Sequence, residues 1–332
     1  MVQERLPYVD IAKGIAIWLM IVGHQHISEQ AHTYISSFHM PLFFFISGMF
    51  FRKNKSFFQN LESAIRGLVI PYLFFSTIGL AICWISPYVH PELYFNMTWM
   101  NIFSSAFNGI FIGTTQVTPT SFLPIAPLWF LLALFDIRVL CSAISSITKN
   151  EYLWATICII VSFTMYHLLT TNVYSLRSGM MATPFYVAGF FMREIDFTLV
   201  KYKLLIFVLL LSYFFFITPL NGRCESVFGI YGKWMVIYYI NAIVGTLMVI
   251  LLSTYLTCKK SYLQKIGCNT LVILGTHLFF TRPIQIISVY LFGNNCMSSI
   301  IYILVVPIIA IICCLYINRY IIKYIPFAVG KR

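Results

Sequence analysis

The sequence predicts an all-α fold, a polytopic membrane protein of about ten transmembrane helices, and three observations carry that prediction. Of 332 residues, 60% are hydrophobic and only 10% are charged, whereas a soluble domain carries about a quarter charged residues. Apolar runs recur from residue 9 to residue 325, and no polar block between them is large enough to fold alone. The basic residues fall between the runs singly or in short groups, an arrangement that sets membrane topology rather than a patch that grips nucleic acid. The net charge of +12 is therefore assigned to the membrane. Membrane lipid is the expected surrounding, no nucleic-acid partner is expected, and residues 1–332 are read as a single membrane domain.

A spanning helix needs about 20 apolar residues, somewhat fewer where flanking side chains snorkel. The runs that qualify are 9–27, 37–51, 67–86, 127–147, 152–170, 179–192, 204–220, 234–257, 266–291 and 298–318. The first follows Asp10 and Lys13, lacks a small-residue cleavage site and is succeeded by further runs, so it reads as a retained helix rather than a signal peptide. The second and sixth are short and carry Pro41 and Pro184 near their starts, as helices entering from a loop do.

Eighteen of the 22 lysines and arginines lie on the side to which even-numbered runs return. They begin with Arg5 and Lys13, continue through Arg52, Lys53, Lys55, Arg66, Arg138, Lys149, Arg193, Lys201, Lys203, Lys259, Lys260 and Lys265, and end with Arg319, Lys323, Lys331 and Arg332. Arg177, Arg223 and Lys233 lie opposite, and Arg282 lies inside the ninth run. Such asymmetry puts both termini in the cytoplasm. The longest polar stretch, within 87–126, carries Tyr94, Phe95, Trp99, Phe103, Phe107 and Phe111 and is expected on the non-cytoplasmic face as an amphipathic or re-entrant segment. Asp136 and Arg138 are assigned to the cytoplasmic end of the fourth helix.

The nine cysteines show neither CxxC spacing nor a Cys/His cluster, so no metal is expected. Most fall in or beside apolar runs as small buried side chains. Cys224 and Cys296 fall in two loops on the same expected side, which leaves a disulfide between them open.

The first helix carries the chemistry-bearing pair. Lys13 and His24 are eleven residues apart, about 20° from three full turns, so they project from one face about 16 Å apart along the axis. A cation then stands at the cytoplasmic rim and an imidazole deep on the same stripe, with Asp10 one turn before Lys13 and able to pair with it. Spacing alone leaves Lys13 equally readable as a snorkelling anchor, and His24 as an interhelical hydrogen-bonding group. Ionisable groups inside a membrane are costly, which makes a functional reading the default.

The stretch of Asp10, Lys13-Gly14, Gly23-His24 and Phe38-His39-Met40-Pro41-Leu42-Phe43-Phe44-Phe45-Ile46-Ser47-Gly48 resembles the acyltransferase 3 family of integral membrane acyltransferases. Arg66 with Pro71-Tyr72, Pro127-Leu128-Trp129-Phe130-Leu131, and Ile266-Gly267-Cys268-Asn269-Thr270 followed by His277 extend the resemblance through nearly the whole chain. It implies a ten-helix domain in a bacterial inner membrane that takes an acyl group from acyl-CoA, acetyl-CoA by preference, as donor substrate, with no bound cofactor. The implied acceptor is a hydroxyl of a glycan or lipid-linked glycan. The family's first-helix motif usually has Arg where this chain has Lys13, which keeps the charge but loses bidentate phosphate recognition. The sequence shows no added soluble hydrolase-like domain of the kind some relatives carry, so transfer is expected to finish within the membrane domain or through separate glycan-assembly proteins.

On this reading Lys13 and Arg66 hold the donor phosphates, and His24 is the catalytic group, as general base or as acyl carrier. Asp10, Ser47 and Trp129 are supporting residues. Ser47-Gly48 reads equally as a close-packing pair, and Trp129 as an interface anchor. His39 is assigned to the acceptor side, with a solvated loop imidazole as the alternative. His277 and Arg282 are intramembrane polar groups that backbone carbonyls would also satisfy. A transporter or flippase for a sugar or lipid-linked intermediate, and a noncatalytic scaffold, are the rival functions.

Overall fold

The computed structural model describes residues 6–84, 88, 97–113, 124–171, 173–257 and 261–331. It is 82% helical with almost no strand. Among the described residues, six helices are long and apolar enough to cross a membrane: Phe57–Cys83, Ala126–Ile147, Glu151–Leu168, Lys203–Asn221, Met235–Tyr255 and Ile300–Tyr324. A pair bent by 45°, Thr270–Thr276 with Leu278–Phe292, makes seven if counted as one span. By length and composition among the described residues, the expected count of ten is not confirmed. The first, second and sixth apolar runs do form helices, but of 17, 11 and 16 residues. The 11-residue helix is only about 16 Å long, half the hydrocarbon thickness. Apolar runs reported where helices form but not how long they are. Within 87–126, residues 87, 89–96 and 114–123 lie outside the described residues, as do Arg5, Lys259, Lys260 and Arg332.

The chain divides into two compact units. The first comprises residues 1–50, 185–270 and 303–311. Its elements are α1 (Pro7–Gly23), α2 (Glu29–Ser36), α3 (His39–Met49), the later part of α9 (Leu176–Phe191), α10 (Lys203–Asn221), the strands β1 (Cys224–Glu225) and β2 (Ile230–Tyr231), α11 (Met235–Tyr255) and α12 (Tyr262–Gly267). Tyr8, Val9, Ala12 and Ala16 of α1 join Phe38, Leu42 and Phe45 and Val249, Ile250 and Leu251 of α11 in one buried cluster.

Two crossings in this unit depend on glycine. A Cβ on Gly14 would run into the carbonyl of Leu263, and one on Gly267 into the carbonyl of Asp10. A Cβ on Gly48 would strike the carbonyl of Tyr186, and one on Gly189 that of Phe45. Small residues let helix backbones approach this closely, so α1 lies against α12 and α3 against α9. Beyond α10, Asn221 closes the two-stranded hairpin by accepting from the Trp234 N–H at 2.9 Å and donating to the Tyr231 carbonyl at 3.1 Å.

The second unit comprises residues 51–184, 271–302 and 312–332. It holds α4 (Phe57–Ala64), α5 (Ile70–Gly79), α6 (Trp99–Ile112), α7 (Trp129–Ile147), α8 (Glu151–Leu168), the start of α9, α13 (Thr270–Thr276) from Leu271, α14 (Leu278–Phe292) and the end of α15 (Ile300–Tyr324). Between α4 and α5 the chain makes a π-helical turn over Ile65–Val69, with the Ile70 N–H bonded to the Ile65 carbonyl. The wider turn precedes Pro71, which lacks an N–H and would crowd the carbonyl four residues back in a regular helix. Tyr72 then donates its hydroxyl to the Ile110 carbonyl at 2.7 Å and fixes α5 to α6. The Trp154 indole of α8 donates to the Cys141 carbonyl of α7 at 2.9 Å. Pro184 lies inside α9, which starts at Leu176, rather than near a helix start as the run boundaries suggested.

Candidate functional site

α1 opens with Pro7 at its first position, where a missing N–H costs nothing. Asp10 in the first turn meets the positive end of the helix dipole and sits one turn from Lys13. The expected pair forms: Lys13 Nζ is 2.7 Å from Asp10 Oδ1, with the Asp10 side chain only 4% exposed and Lys13 24%. The other carboxylate oxygen accepts from the Cys268 thiol, with Sγ to Oδ2 at 3.4 Å. The Gly14 and Gly267 crossing brings these groups together, since it holds the end of α12 against the first turns of α1.

The helix continues unbroken from Pro7 to Gly23, so the eleven-residue spacing of Lys13 and His24 is helical up to the residue before His24. His24 is the C-cap of α1, with its backbone N–H directed at the Met20 and Ile21 carbonyls. Its side chain is exposed. The apolar run extended past His24, but the helix ends before it, where a turn leads to α2.

Beyond that turn, Ser28 caps α2, and His32 of α2 lies 3.4 Å from Glu225 of the hairpin. Glu225 also accepts from Arg223, whose guanidinium is held above its ordinary value chiefly by that hydrogen bond. His39, half-buried at the start of α3, has Nδ1 2.7 Å from the Ile35 carbonyl. A carbonyl only accepts, so Nδ1 carries the hydrogen and the neutral ring keeps its lone pair on Nε2. Ser47 bonds back to the Phe43 carbonyl at 2.8 Å while Gly48 makes the close crossing, which supports the packing reading of that pair.

The remaining predicted residues fall in the second unit. Arg66 sits in the π turn and pairs with Glu62 at 2.6 Å, both side chains largely exposed at 45% and 58%. Trp129 begins α7 and is 6% exposed, a buried position rather than an interface anchor. His277 lies at the 45° bend between α13 and α14, fully buried, with Nδ1 3.0 and 3.1 Å from the Ile273 and Leu274 carbonyls. Arg282 is half-buried in α14. Asp136 is not at a helix end: it is the eighth residue of the 19-residue α7, and one of its carboxyl oxygens is buried without a hydrogen bond. Arg138, two residues on, donates to Ser63 Oγ at 3.3 Å.

Cys224 and Cys296 are both free thiols. Burial pushes the Cys224 thiol up to about 11, and its hydrogen is directed at the Gly222 carbonyl. Among the described residues, no group of three or more His, Cys, Asp or Glu side chains is placed to hold a metal ion.

The structure thus gathers Asp10 and Lys13 at one end of α1 and places His24 at the other, with His39 in the same unit. It also adds Cys268, which sequence reasoning did not single out. The acyltransferase domain that defines the acyltransferase 3 family matches residues 6–319. The chain belongs to the acyltransferase 3 family. No curated protein and no solved structure matches it significantly. Membership makes this an integral membrane acyltransferase, which decides against the transporter and scaffold alternatives. The family match runs through both units and includes Lys13, His24, Arg66, Trp129 and His277.

Proposed function

We propose that this acyltransferase moves an acyl group, acetyl by preference, from cytoplasmic acyl-CoA to a hydroxyl of a glycan or lipid-linked glycan on the opposite face of a bacterial inner membrane. The observation that carries the reading is α1 itself. One continuous helix carries a paired cation near its start and ends one residue before an exposed imidazole, a spacing of about 16 Å along a helix axis. Lys13, with part of its side chain exposed beyond the Asp10 pair, supplies positive charge for the donor phosphates, and Arg66 is the second candidate.

The exposed imidazole at the opposite end suits a soluble or lipid-linked hydroxyl. Neutral His24 removes the hydroxyl proton as oxygen attacks the acyl carbonyl, and the thiolate leaves as CoA; alternatively His24 carries the acyl group itself. Glycan-assembly proteins would deliver the acceptor. Transfer of labelled acetyl from acetyl-CoA to candidate glycans by purified protein tests the reaction, and its absence for every acyl-CoA tried would overturn the donor assignment. Orientation has its own test: a reporter after Arg332 is expected in the cytoplasm and one near Asn108 on the opposite face, and finding both on one face would overturn it.

A further inference from the structure

Arg138 is half-buried within the span Ala126–Ile147, nine residues and about 13 Å from its end. Among the described residues no carboxylate pairs with it: its guanidinium donates to the Ser63 hydroxyl of α4 at 3.3 Å. Asp136, two residues earlier, stands about 160° away round α7. A cation inside a membrane is costly and is found facing the protein interior or a polar cavity, beside a counter-charge or on a substrate path. The neutral Ser63 hydroxyl cancels none of its charge.

A second guanidinium lies beside it. Arg66 meets Glu62 at 2.6 Å, and Glu62 and Ser63 are consecutive in α4, with Cα atoms about 3.8 Å apart. The two arginines, one from the π turn and one from α7, thus end on neighbouring side chains. The turn Pro326–Val329 packs on α5, with the Phe327 and Phe74 rings edge to face at 5.9 Å. A Cβ on Gly330 would lie 3.1 Å from the Arg66 carbonyl oxygen, so the exposed Lys331 follows directly alongside the π turn. The cluster counts three cations and one carboxylate, Glu62. A Cβ on Gly67 would meet nothing within 4 Å, so the backbone next to Arg66 borders open space.

We infer that Arg138 and Arg66 form a seat for a phosphate monoester, the 3′-phosphate of the acyl-CoA donor, with Lys331 at its edge. The inference rests on acyl-CoA being the donor. A phosphate monoester carries about −1.5 to −2 charge near neutral pH and three acceptor oxygens, which suits the cluster's excess of positive charge. Each guanidinium offers a planar fork that can bind such a group through two parallel hydrogen bonds. The diphosphate of the same donor spreads its charge over two phosphorus atoms and suits two adjacent forks less well. Open space at Gly67 leaves room for the phosphate to approach.

The test measures equilibrium binding of labelled acetyl-CoA and of acetyl-3′-dephospho-CoA to the full purified chain in phosphatidylcholine nanodiscs. The parent should prefer acetyl-CoA by about 10-fold to 100-fold, the scale of a charge-assisted hydrogen bond. Arg138→Ala should lower the affinity for acetyl-CoA toward that of the dephospho analogue and leave the analogue's affinity unchanged, which also reports an intact fold. Arg138→Lys keeps the charge, decides the matter if the alanine variant does not fold, and should keep only part of the preference. A parent without preference, or a preference undiminished in the folded variants, overturns the phosphate seat alone. Nanodiscs doped with phosphatidic acid, whose headgroup is also a phosphate monoester, separate lipid from nucleotide. Loss of bound phosphatidic acid in Arg138→Ala with the nucleotide preference intact would give the seat to lipid and overturn the nucleotide assignment. A parent that binds neither nucleotide overturns the donor reading and this inference together.

Discussion

The two ends of α1 are built on opposite terms. At the Lys13 end the groups are committed to one another: a carboxylate 4% exposed, its partly exposed ammonium partner, a half-buried thiol, and a glycine crossing that admits no side chain between the helices. At the His24 end the helix simply stops, and the imidazole stands exposed at the C-cap. A buried charge needs its partner at all times, so the first end is fixed by stability as well as by function. The imidazole at the other end is exposed, so less of the fold rests on it. Substitutions at the two ends should therefore separate: one set should lower activity without touching the fold, and the other should move both.

The largest effect is expected at the open end. His24→Gln keeps hydrogen-bonding capacity but supplies neither base nor nucleophile near neutral pH, so transfer should fall by about 10²–10⁴-fold. Thermal stability and membrane insertion should stay as in the parent, since Leu19 to Val22 remain. Near-normal transfer by His24→Gln in the labelled-acetyl assay would make the histidine structural and remove the contrast between the two ends.

Next comes the closed end. Lys13→Ala leaves the Asp10 carboxylate buried beside no ammonium, and breaking a buried pair costs about 3–5 kcal/mol, less here because Lys13 is partly exposed. Donor affinity should fall with it. Lys13→Arg should retain or improve donor use, because guanidinium keeps the charge and adds bidentate phosphate contacts. Donor dependence unchanged in Lys13→Ala, read from initial rates against acetyl-CoA concentration, would take Lys13 out of the site. Gly267→Ala is expected to be milder, on the order of 1–3 kcal/mol of overpacking, through collision with the Asp10 carbonyl. A melting temperature unmoved by Gly267→Ala would mean that α1 and α12 can separate without loss.

What the sequence made legible follows from range. The Asp10 and Lys13 pair is an i, i+3 relation, and helical periodicity alone placed Lys13 and His24 on one stripe. Apolar runs located the helices, yet the helix end before His24, the shortness of α3 and the mid-helix place of Asp136 depend on where chain turns and packing stop a helix. The π turn at Arg66 left one local trace, Pro71 five residues on. Cys268 stood within the 266–270 motif, but its contact left no trace there, since its partner Asp10 is distant in sequence and only the backbone crossing brings them together.

The smallest stability effect is expected at Arg66, which sharpens the comparison because it is the other cation assigned to the donor. Its pair with Glu62 is solvent-exposed on both sides, and exposed ion pairs contribute about 0–1 kcal/mol. Arg66→Ala should therefore leave the melting temperature almost where it was, unlike Lys13→Ala. If the guanidinium binds the donor phosphates, the KM for acetyl-CoA should rise while kcat holds, since a contact made equally in ground and transition states affects binding alone. Arg66→Lys should recover only part of that affinity, because a point charge replaces the planar fork. Glu62→Gln is the control: it frees Arg66 from its partner and should leave donor affinity unchanged or slightly improved. An unchanged KM in Arg66→Ala would leave Arg66 as a surface ion pair at the π turn and the donor phosphates to the closed end of α1.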